Sequence, residues 1–334
     1  MHPHGFFPVI VSLCVAASAA GADGKAYVFS YFSNNGYGGK SGQAAGMRLA
    51  YSVDGRVWKP IADERPFVVP TVGNGRLMRD PSICRGPDGT FHLVWTTGWR
   101  DRTIGYASSK DLVHWSEQRE IPVMVHEPTA KNCWAPEVTH NPDDGLFYIY
   151  WATTIPGRHS GDESNEKKDW NNHRIYLVTT KDWKTFSPAK LWFNPPFSVI
   201  DAALLKTGGR WMMAVKNENG DKKDIRIVWT GILAEGWAAG EVPPPIKEAG
   251  TWIEGPSPLK VGDDLYIYFD RYTKGRYGAV KSSDGGRTWR DVSDEVSFPK
   301  GVRHGTAFEV PRSFVDSLLE SVRRVPPRGF STEF

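Results

Sequence analysis

Five short segments of the sequence each place one ionisable residue beside proline or a small residue, and they recur every 50 to 64 residues. The segments are RDPSI with Asp80, WAPEV with Glu137, VIDAAL with Asp201, IEGPSP with Glu254 and RHGTAF with His304. Taken alone, each residue has a structural alternative, such as capping a turn, accepting a hydrogen bond or pairing with a buried cation. Taken together they are difficult to explain by structure, because unpaired carboxylates are costly to bury. The recurrence predicts that they occupy equivalent positions and meet at one axis.

Two carboxylates that face each other across a cleft are the minimal machinery for hydrolysing a glycosidic bond. One protonates the leaving oxygen, and the other activates water or attacks the sugar. The acid must stay protonated near neutral pH, so its pKa must be raised. Glu254 follows Trp252 and an isoleucine, and this apolar setting fits the acid, whereas Asp80 follows Arg79 and fits a base kept ionised. Asp201 is expected between them, where its charge would raise the pKa of Glu254.

A turn motif repeated along the chain indicates the elements that position these residues. An aspartate is followed by an aromatic residue in YSVDGRVW (Asp54), SSKDLVHW (Asp111), TTKDWKTF (Asp182) and SSDGGRTW (Asp284), with a degenerate copy, WTGILAEGW, at 229–237. An aspartate that accepts hydrogen bonds from turn amides is typical of a β-hairpin turn. Apolar runs such as TFHLVWTT and DLYIYFD lie between the turns and predict strands. Four strands in each of about five units predict an all-β, five-bladed β-propeller, whereas two β-sandwich domains would not explain one period through the whole chain.

The set RDPS, WAPE, VIDA, EGPS and RHGT resembles glycoside hydrolase family 43, whose members are five-bladed propellers. The resemblance covers residues 26–310 and implies inverting hydrolysis of plant-type glycans, mostly α-L-arabinofuranosides, β-xylosides and some galactans. It implies that Asp80 is the general base, that Glu254 is the general acid and that Asp201 modulates the pKa of the acid. His304 matches an axial histidine that lies beside a bound calcium ion in some arabinan-cleaving members, so the resemblance allows Ca²⁺ there without requiring it.

Two positions depart from the family pattern. The family more often has aspartate at the position of Glu137, and it often has proline after the position of Asp201, where this chain has Ala202. We therefore expect a supporting role for Glu137, whose longer side chain could reach the substrate.

Substrate contacts are expected from aromatic faces and from polar groups near the axis. The candidates are Trp134, Glu137, Phe32, Trp99, Arg271 and His304. Surface positions or packing within a blade are the alternative for the aromatic residues and for Arg271. The Gly-rich segment around Tyr37 and the polar insertion 157–174 are expected to shape the rim of the pocket.

The two ends of the sequence have separate roles. Residues 1–22 contain an apolar run that leads to small residues and predict a signal peptide, hence export to the periplasm or the exterior. Residues 23–334 are expected to form one propeller domain. The segments KAYVFSYF and GMRLAYS should close the ring by joining RHGTAFEVP, which removes exposed sheet edges. RSFVDSLLESVRRV predicts a short C-terminal helix.

The net charge, the cysteines and one further motif limit the partners and functions that are expected for this chain. The formal net charge is +3 without a basic run, so nucleic acid and an anionic membrane are not expected. We expect a monomer that acts on an oligo- or polysaccharide, with Cys84 and Cys133 as free thiols. SSDGGRTW fits the Asp-box of sialidases, but arginines do not recur at the pocket-lining positions that a sialidase needs. A galactan-acting exo-hydrolase and a non-catalytic glycan-binding propeller are further alternatives.

Overall fold

The computed structural model describes residues 24–33, 46–159, 172–219, 223–237, 245–246 and 252–324. The predicted signal peptide, Tyr37 and most of the polar insertion lie outside the described residues. The described residues form five antiparallel sheets of four strands each. This confirms the all-β, five-bladed β-propeller.

The strands follow one another blade by blade, in chain order. Blade 1 begins with β1 (Lys25–Ser33), β2 (Arg48–Ser52) and β3 (Lys59–Pro60). Blade 2 contains β4 (Arg79–Arg85), β5 (Phe91–Thr96), β6 (Ile104–Ser109) and β7 (Arg119–Ile121). Blade 3 contains β8 (Trp134–Asn141), β9 (Leu146–Thr154), β10 (His173–Thr180) and β11 (Lys190–Phe193). Blade 4 contains β12 (Val199–Thr207), β13 (Arg210–Asn217), β14 (Ile225–Thr230) and β15 (Pro245–Ile246). Blade 5 contains β16 (Glu254–Val261), β17 (Asp264–Arg271), β18 (Arg276–Ser282) and β19 (Arg290–Asp291). The last elements of the described residues are β20 (Val302–Pro311) and α1 (Arg312–Arg324), and short 3-10 segments lie at Ala62–Glu64, Leu233–Glu235 and Ser293–Glu295.

The second strand of each blade is buried on both faces, because blades pack on either side of it. In β9, Tyr148 and Tyr150 pack toward blade 4, where Trp211 belongs to the same apolar cluster. The alternate residues Ile149 and Trp151 pack toward blade 2. Side chains of a strand point to opposite faces in turn, so LFYIYWAT reads as a continuous apolar run rather than an alternating one.

The ring closes by pairing the two ends of the described chain. β20 joins β1 in an antiparallel pair that runs from Lys25–Pro311 to Tyr31–Gly305, and blade 1 has the order β20-β1-β2-β3. β20 is thereby the innermost strand of blade 1, as β4, β8, β12 and β16 are in the other blades. This confirms closure by the N-terminal strands.

The repeated turn motif joins the third and fourth strands of a blade. Oδ1 of Asp111 accepts hydrogen bonds from the amides of Val113 and His114 and from the hydroxyl of Ser109. Asp54, Asp182 and Asp284 accept the same three kinds of bond. The degenerate copy WTGILAEGW begins in β14 and occupies the same connection in blade 4. The aspartate turn therefore marks the same connection in four blades, and the degenerate copy holds that place in blade 4.

The C-terminal helix packs on the closed blade. Val315, Leu318 and Val322 are buried at a spacing of three and four residues, and they contact the apolar cluster that contains Val28 of β1. The ring of Phe314 lies 5.2 Å from that of Phe91, between centroids. No helix in the described part of the chain is long and apolar enough to cross a membrane.

Cys84 and Cys133 are free thiols, as the sequence predicted. Burial raises the pKa of the Cys84 thiol to about 12 and also raises that of Cys133. Both side chains therefore remain protonated and unreactive at neutral pH.

Replacing Phe29 of β1 tests how much the closing strand contributes to stability. Its ring is fully buried and lies 5.5 Å from those of Tyr277 and Phe298, between centroids. We expect Phe29→Ala to lower the free energy of unfolding by about 3–5 kcal/mol, because a buried ring leaves a cavity. Urea denaturation followed by circular dichroism measures this change. Val53→Ala, at a residue that is 49% exposed, is the control and should stay within about 0.5 kcal/mol. An equally small effect of Phe29→Ala would contradict a stabilising closure.

Candidate active site

The innermost strands of blades 2 to 5 all begin with the same irregularity. The pairing with the second strand shifts between Arg79 and Ser82, between Trp134 and Glu137, between Ile200 and Ala203, and between Glu254 and Ser257. The second residue of each segment has a positive φ: Asp80 (53°), Ala135 (45°), Asp201 (54°) and Gly255 (58°). A β-bulge of this kind bends the strand and re-aims its side chains. The bulges therefore determine which side chains reach the axis.

The expectation that the ionisable residues occupy equivalent positions is wrong for Glu254 and Glu137. Asp80 and Asp201 share the bulge position, which Gly255 holds in β16 and Ala135 holds in β8. Glu254 therefore comes one residue before this position, and Glu137 comes two residues after it. Aligning the prolines of RDPS, WAPE and EGPS gives the same offsets from the sequence.

Asp80, His304 and Asp201 meet at the centre of the ring. Nδ1 of His304 lies 3.3 Å from Oδ1 of Asp80 and 3.9 Å from Oδ1 of Asp201. Burial would lower the pKa of His304, but the charge of Asp201 and the hydrogen bond to Asp80 outweigh it and raise the pKa to about 9. The centre therefore holds an imidazolium between two carboxyl groups at neutral pH.

Asp80 is held ionised. Its Oδ2 accepts a hydrogen bond of 2.9 Å from the hydroxyl of Thr96. Burial would raise the pKa of Asp80, but the bond to His304, its charge and the charge of Arg79 lower the pKa to about 2. A carboxyl group with this pKa is ionised at every ordinary pH, which is the charge state that a general base needs.

Asp201 connects the centre to the strand that carries Glu254. Its Oδ2 accepts a hydrogen bond of 3.0 Å from the amide of Gly255, the residue after Glu254. Burial raises the pKa of Asp201 to about 6, although the charges of His304 and Lys216 oppose the rise. Asp201 thereby fixes the backbone beside Glu254.

Glu254 lies between two cations, which corrects the expected apolar environment. Its Oε2 is 2.8 Å from Nζ of Lys216, and its Oε1 is 2.9 Å from a guanidinium nitrogen of Arg303. Burial would raise the pKa of Glu254, but the charge and hydrogen bond of Lys216 and the charges of Arg303 and Arg79 lower it. Trp252, which was expected to help bury this carboxyl group, is itself 43% exposed.

Lys216, Arg303 and Asp270 belong to the site, and the sequence reasoning missed them. Arg303 also donates to Asp270, which pairs with Glu254 across β16 and β17. Lys216 also contacts Glu218, at 2.7 Å. Burial raises the pKa of Asp270 to about 7, against the lowering effect of Arg303. A signal was present, because RWMMAVK and LYIYFD end apolar runs with a charge.

Glu137 occupies a buried polar position beside the axis. Its Oε2 accepts a hydrogen bond of 2.6 Å from Ser82, and its Oε1 accepts one of 2.8 Å from Thr306. Burial raises the pKa of Glu137 to about 7, although both hydroxyl groups and His304 oppose the rise. Its two oxygens thus connect β8 to β4 of blade 2 and to β20 of blade 1.

Phe32, Trp99 and Trp134 lie together on the Asp80 side of the axis. The guanidinium of Arg79 is 4.6 Å from the ring centroid of Phe32 and 4.8 Å from that of Trp99. The indole N–H of Trp134 donates to the carbonyl of Trp99, at 3.0 Å, and the two rings meet edge to face. Trp99 is 47% exposed, whereas Phe32 is 4% exposed beneath Arg79.

Arg271 does not lie with Phe32, Trp99 and Trp134. It is buried at the end of β17, and its Cδ lies 2.9 Å from the position that a Cβ on Gly278 would occupy. The side chain therefore packs within blade 5, over β18.

Calcium beside His304 stays a prediction from the resemblance. Among the residues that the structure describes, no group of three or more His, Cys, Asp or Glu side chains is arranged to hold a metal. The carboxylates nearest His304 already have partners: Thr96 for Asp80 and the Gly255 amide for Asp201.

This architecture agrees with the comparison against known families. The family model described as "Probable glycosyl hydrolase domain", of the glycosyl hydrolase 43-related type, matches residues 23–316. The chain therefore belongs to the glycosyl hydrolase 43-related family, which confirms the resemblance carried by the axial motifs.

Individual relatives are distant. An α-L-arabinofuranosidase of Bifidobacterium longum subsp. longum is 22% identical over 162 residues, which are 43% of this chain. The match spans 15% of the length of that curated relative. The crystal structure of a thermostable family-43 glycoside hydrolase is 18% identical, with a TM-score of 0.52 over 71% of this chain and 81% of that chain. A xylan β-1,4-xylosidase from Bacillus halodurans C-125 is 17% identical, with a TM-score of 0.50 over 66% and 42%. At these identities the two structures share the fold.

The pH dependence of stability tests the imidazolium at the axis. Because the folded pKa of His304 is about 9 and its unfolded value is about 6.5, its contribution is fully present below pH 6.5. The contribution is lost as the pH rises toward 9, and it amounts to at most about 3 kcal/mol. We expect urea denaturation to show this loss in the wild type and a flatter profile in His304→Gln. His126→Gln, at an exposed residue, is the control and should keep the wild-type profile. An identical slope in His304→Gln would contradict the assignment.

Proposed function

We propose that this chain hydrolyses plant-type glycans with inversion at the anomeric carbon, with Asp80 as the general base and Glu254 as the general acid. α-L-Arabinofuranosides are the first candidate substrates, followed by β-xylosides and then galactosides. The observation that carries the proposal is the joining of Asp80, His304, Asp201 and the Glu254 strand in one chain of contacts at the axis.

The roles follow from the different environments of the two carboxyl groups. Asp80 is ionised and would take a proton from the attacking water. Glu254 would protonate the leaving oxygen, so it must gain a proton against Lys216 and Arg303. A bound sugar that displaces water would favour this protonation, since removing water penalises the charged form. Asp201 would hold Glu254 in place through the Gly255 amide and favour its protonation by like charge.

Sugar binding would involve the aromatic residues on the Asp80 side. Trp99 and Trp134 would present faces or edges to the ring, with Phe32 supporting them through Arg79. His304 and Glu137 would act mainly on the neighbouring carboxyl groups and strands. Arg271 is not included, because its side chain packs within blade 5.

A non-catalytic glycan-binding propeller is the second candidate. The ion pairs of Glu254 with both Lys216 and Arg303 favour it, because a carboxylate held in this way is a poor acid. The two candidates differ in whether any glycosidic bond is cleaved.

We also propose that the chain is exported through residues 1–22, that residues 23–334 form a single catalytic domain and that the domain acts as a monomer on an oligo- or polysaccharide. The apolar run and small residues of the N-terminal segment support export. Calcium beside His304 is not needed for any of these roles and stays a prediction from the resemblance.

A substrate panel with matched variants tests the reaction. Arabino-, xylo- and galacto-configured oligosaccharides and the matching glycosyl fluorides are incubated with the protein, and proton NMR identifies the first anomer released. We expect the inverted anomer. Asp80→Asn should lower kcat about 10²–10⁴-fold on both substrate types. Glu254→Gln should do so on oligosaccharides while retaining activity on the fluoride, since fluoride leaves without a proton.

Two outcomes would contradict the proposed reaction. Release of the retained anomer would mean that Asp80 acts as a nucleophile and not as a general base. Glycan binding without cleavage of any member of the panel would establish the binding propeller instead. Asp63→Asn and Glu117→Gln, both at exposed residues, are the matched controls and should keep full activity.

Lys216→Met tests the influence of the cation on the acid. Removing a charge 2.8 Å from Oε2 of Glu254 should raise the pKa of this carboxyl group. Glu254 then stays protonated up to a higher pH. The fall in rate on the basic side of the profile therefore begins at a higher pH. We expect the basic limb of the kcat/KM profile to move up by about one pH unit. Lys59→Met, at an exposed residue, is the control, and an unmoved limb in Lys216→Met would contradict the coupling.

A further inference from the structure

A second group of aromatic residues lies on the Glu254 side of the axis. Trp252 is 43% exposed, and it is one of two exposed tryptophans among the described residues, the other being Trp99 beside Arg79. Ligand sites combine aromatic side chains with a few polar groups. The two tryptophans therefore flank the axis from the side of the acid and from the side of the base.

Tyr272 forms the second half of this group. Its ring centroid lies 6.2 Å from that of Trp252, with the planes inclined by 43°. Tyr272 directly follows β17, whose Asp270 pairs with Glu254. Nζ of Lys216 lies 5.0 Å from the Tyr272 ring and 2.8 Å from Oε2 of Glu254. The aromatic pair is thus separated from the candidate acid by a single ammonium group.

The position of Trp252 is fixed by its neighbours. The amide of Ile253 donates to the carbonyl of Lys223, and the side chain of Ile253 is 1% exposed. Nζ of Lys223 lies 5.9 Å from the indole. An aromatic face held in this way loses little freedom when it binds a ligand.

The charges beside the aromatic pair compensate one another. Glu218 contacts both Lys216 and Lys223. The side chains of Glu218 and Lys223 are 15% and 11% exposed, so each can still meet a hydroxyl group. Apolar faces with compensated polar groups fit a neutral sugar ring better than a charged ligand.

We propose that Trp252 and Tyr272 bind the sugar of the leaving group and make this protein selective for substrates that continue beyond the cleaved bond. The inference rests on the proposed function, because a general acid stands on the side of the leaving oxygen. The sugar attached to that oxygen then meets the aromatic surface next to Glu254. The substrate class is an oligo- or polysaccharide with a neutral sugar on the leaving side.

A comparison of two substrates with the same reacting sugar isolates this surface. α-1,5-Arabinotriose places a sugar on Trp252, whereas α-L-arabinofuranosyl fluoride has no ring on the leaving side. We expect Trp252→Ala to lower kcat/KM about 10- to 100-fold on arabinotriose. The same variant should stay within about twofold on the fluoride. Xylotriose and xylosyl fluoride replace them if the protein prefers xylose.

Control variants separate recognition from folding. Ile232→Ala, at a residue that is 54% exposed on blade 4, should leave both rates unchanged. Trp252→Phe should recover much of the arabinotriose activity, since it restores an aromatic face. Equal losses on both substrates, or no loss on arabinotriose, would overturn the leaving-group surface.

The wild type and Trp252→Ala also show whether a negative result concerns the leaving-group surface or the proposed hydrolysis. If the wild type cleaves none of the arabino-, xylo- or galacto-configured substrates, the hydrolase proposal fails, and titration calorimetry with arabinotriose then tests the surface alone. At least tenfold weaker binding by Trp252→Ala would support an aromatic sugar-binding surface. Unchanged binding would overturn it.

Discussion

The protonated imidazole of His304 between Asp80 and Asp201 is the interaction on which the centre of the propeller depends. Four innermost strands bring their acids toward one axis, and the resulting repulsion would be severe without a cation there. His304 lies in β20, so the cation is delivered by the strand that also closes the ring. The strand that closes the ring therefore also supplies the positive charge that balances the acids at the axis.

The bulges explain how a regular fold provides an irregular site. A strand without a bulge would point Asp80 and Asp201 along the ordinary alternation of the sheet. The positive φ at both residues turns their carboxyl groups into the centre, where each accepts a hydrogen bond. In β16 the same position is Gly255, and Asp201 binds the amide of this residue rather than a side chain. One local distortion thus supplies an acid in two blades and a backbone donor in a third.

The two carboxyl groups with catalytic assignments differ in how their charge is balanced. Asp80 contacts the buried imidazolium of His304 and the hydroxyl group of Thr96. Glu254 instead lies between the side chains of Lys216 and Arg303. A buried carboxylate that is paired on both oxygens is stable as an anion. Proton donation by Glu254 is therefore linked to what happens to Lys216 and Arg303 when a sugar enters. The same two cations lie close to aromatic rings, Tyr272 for Lys216 and Phe32 for Arg303.

The sequence by itself determined the five blades, the closing strands, the C-terminal helix and the axial acids. These features depend on local patterns: apolar runs of strand length, aspartate turns and a motif repeated once per blade. Even the one-residue offset of Glu254 from the position of Asp80 follows from aligning the prolines of RDPS and EGPS. Tertiary structure alone decided the electrostatic environment of each acid. Lys216 and Arg303 reach Glu254 from 38 and 49 residues away, each from a different blade. The neighbours of Glu254 in sequence suggested a protonated acid. Its neighbours in space keep it ionised, because charges act through distance in the fold and not through order along the chain.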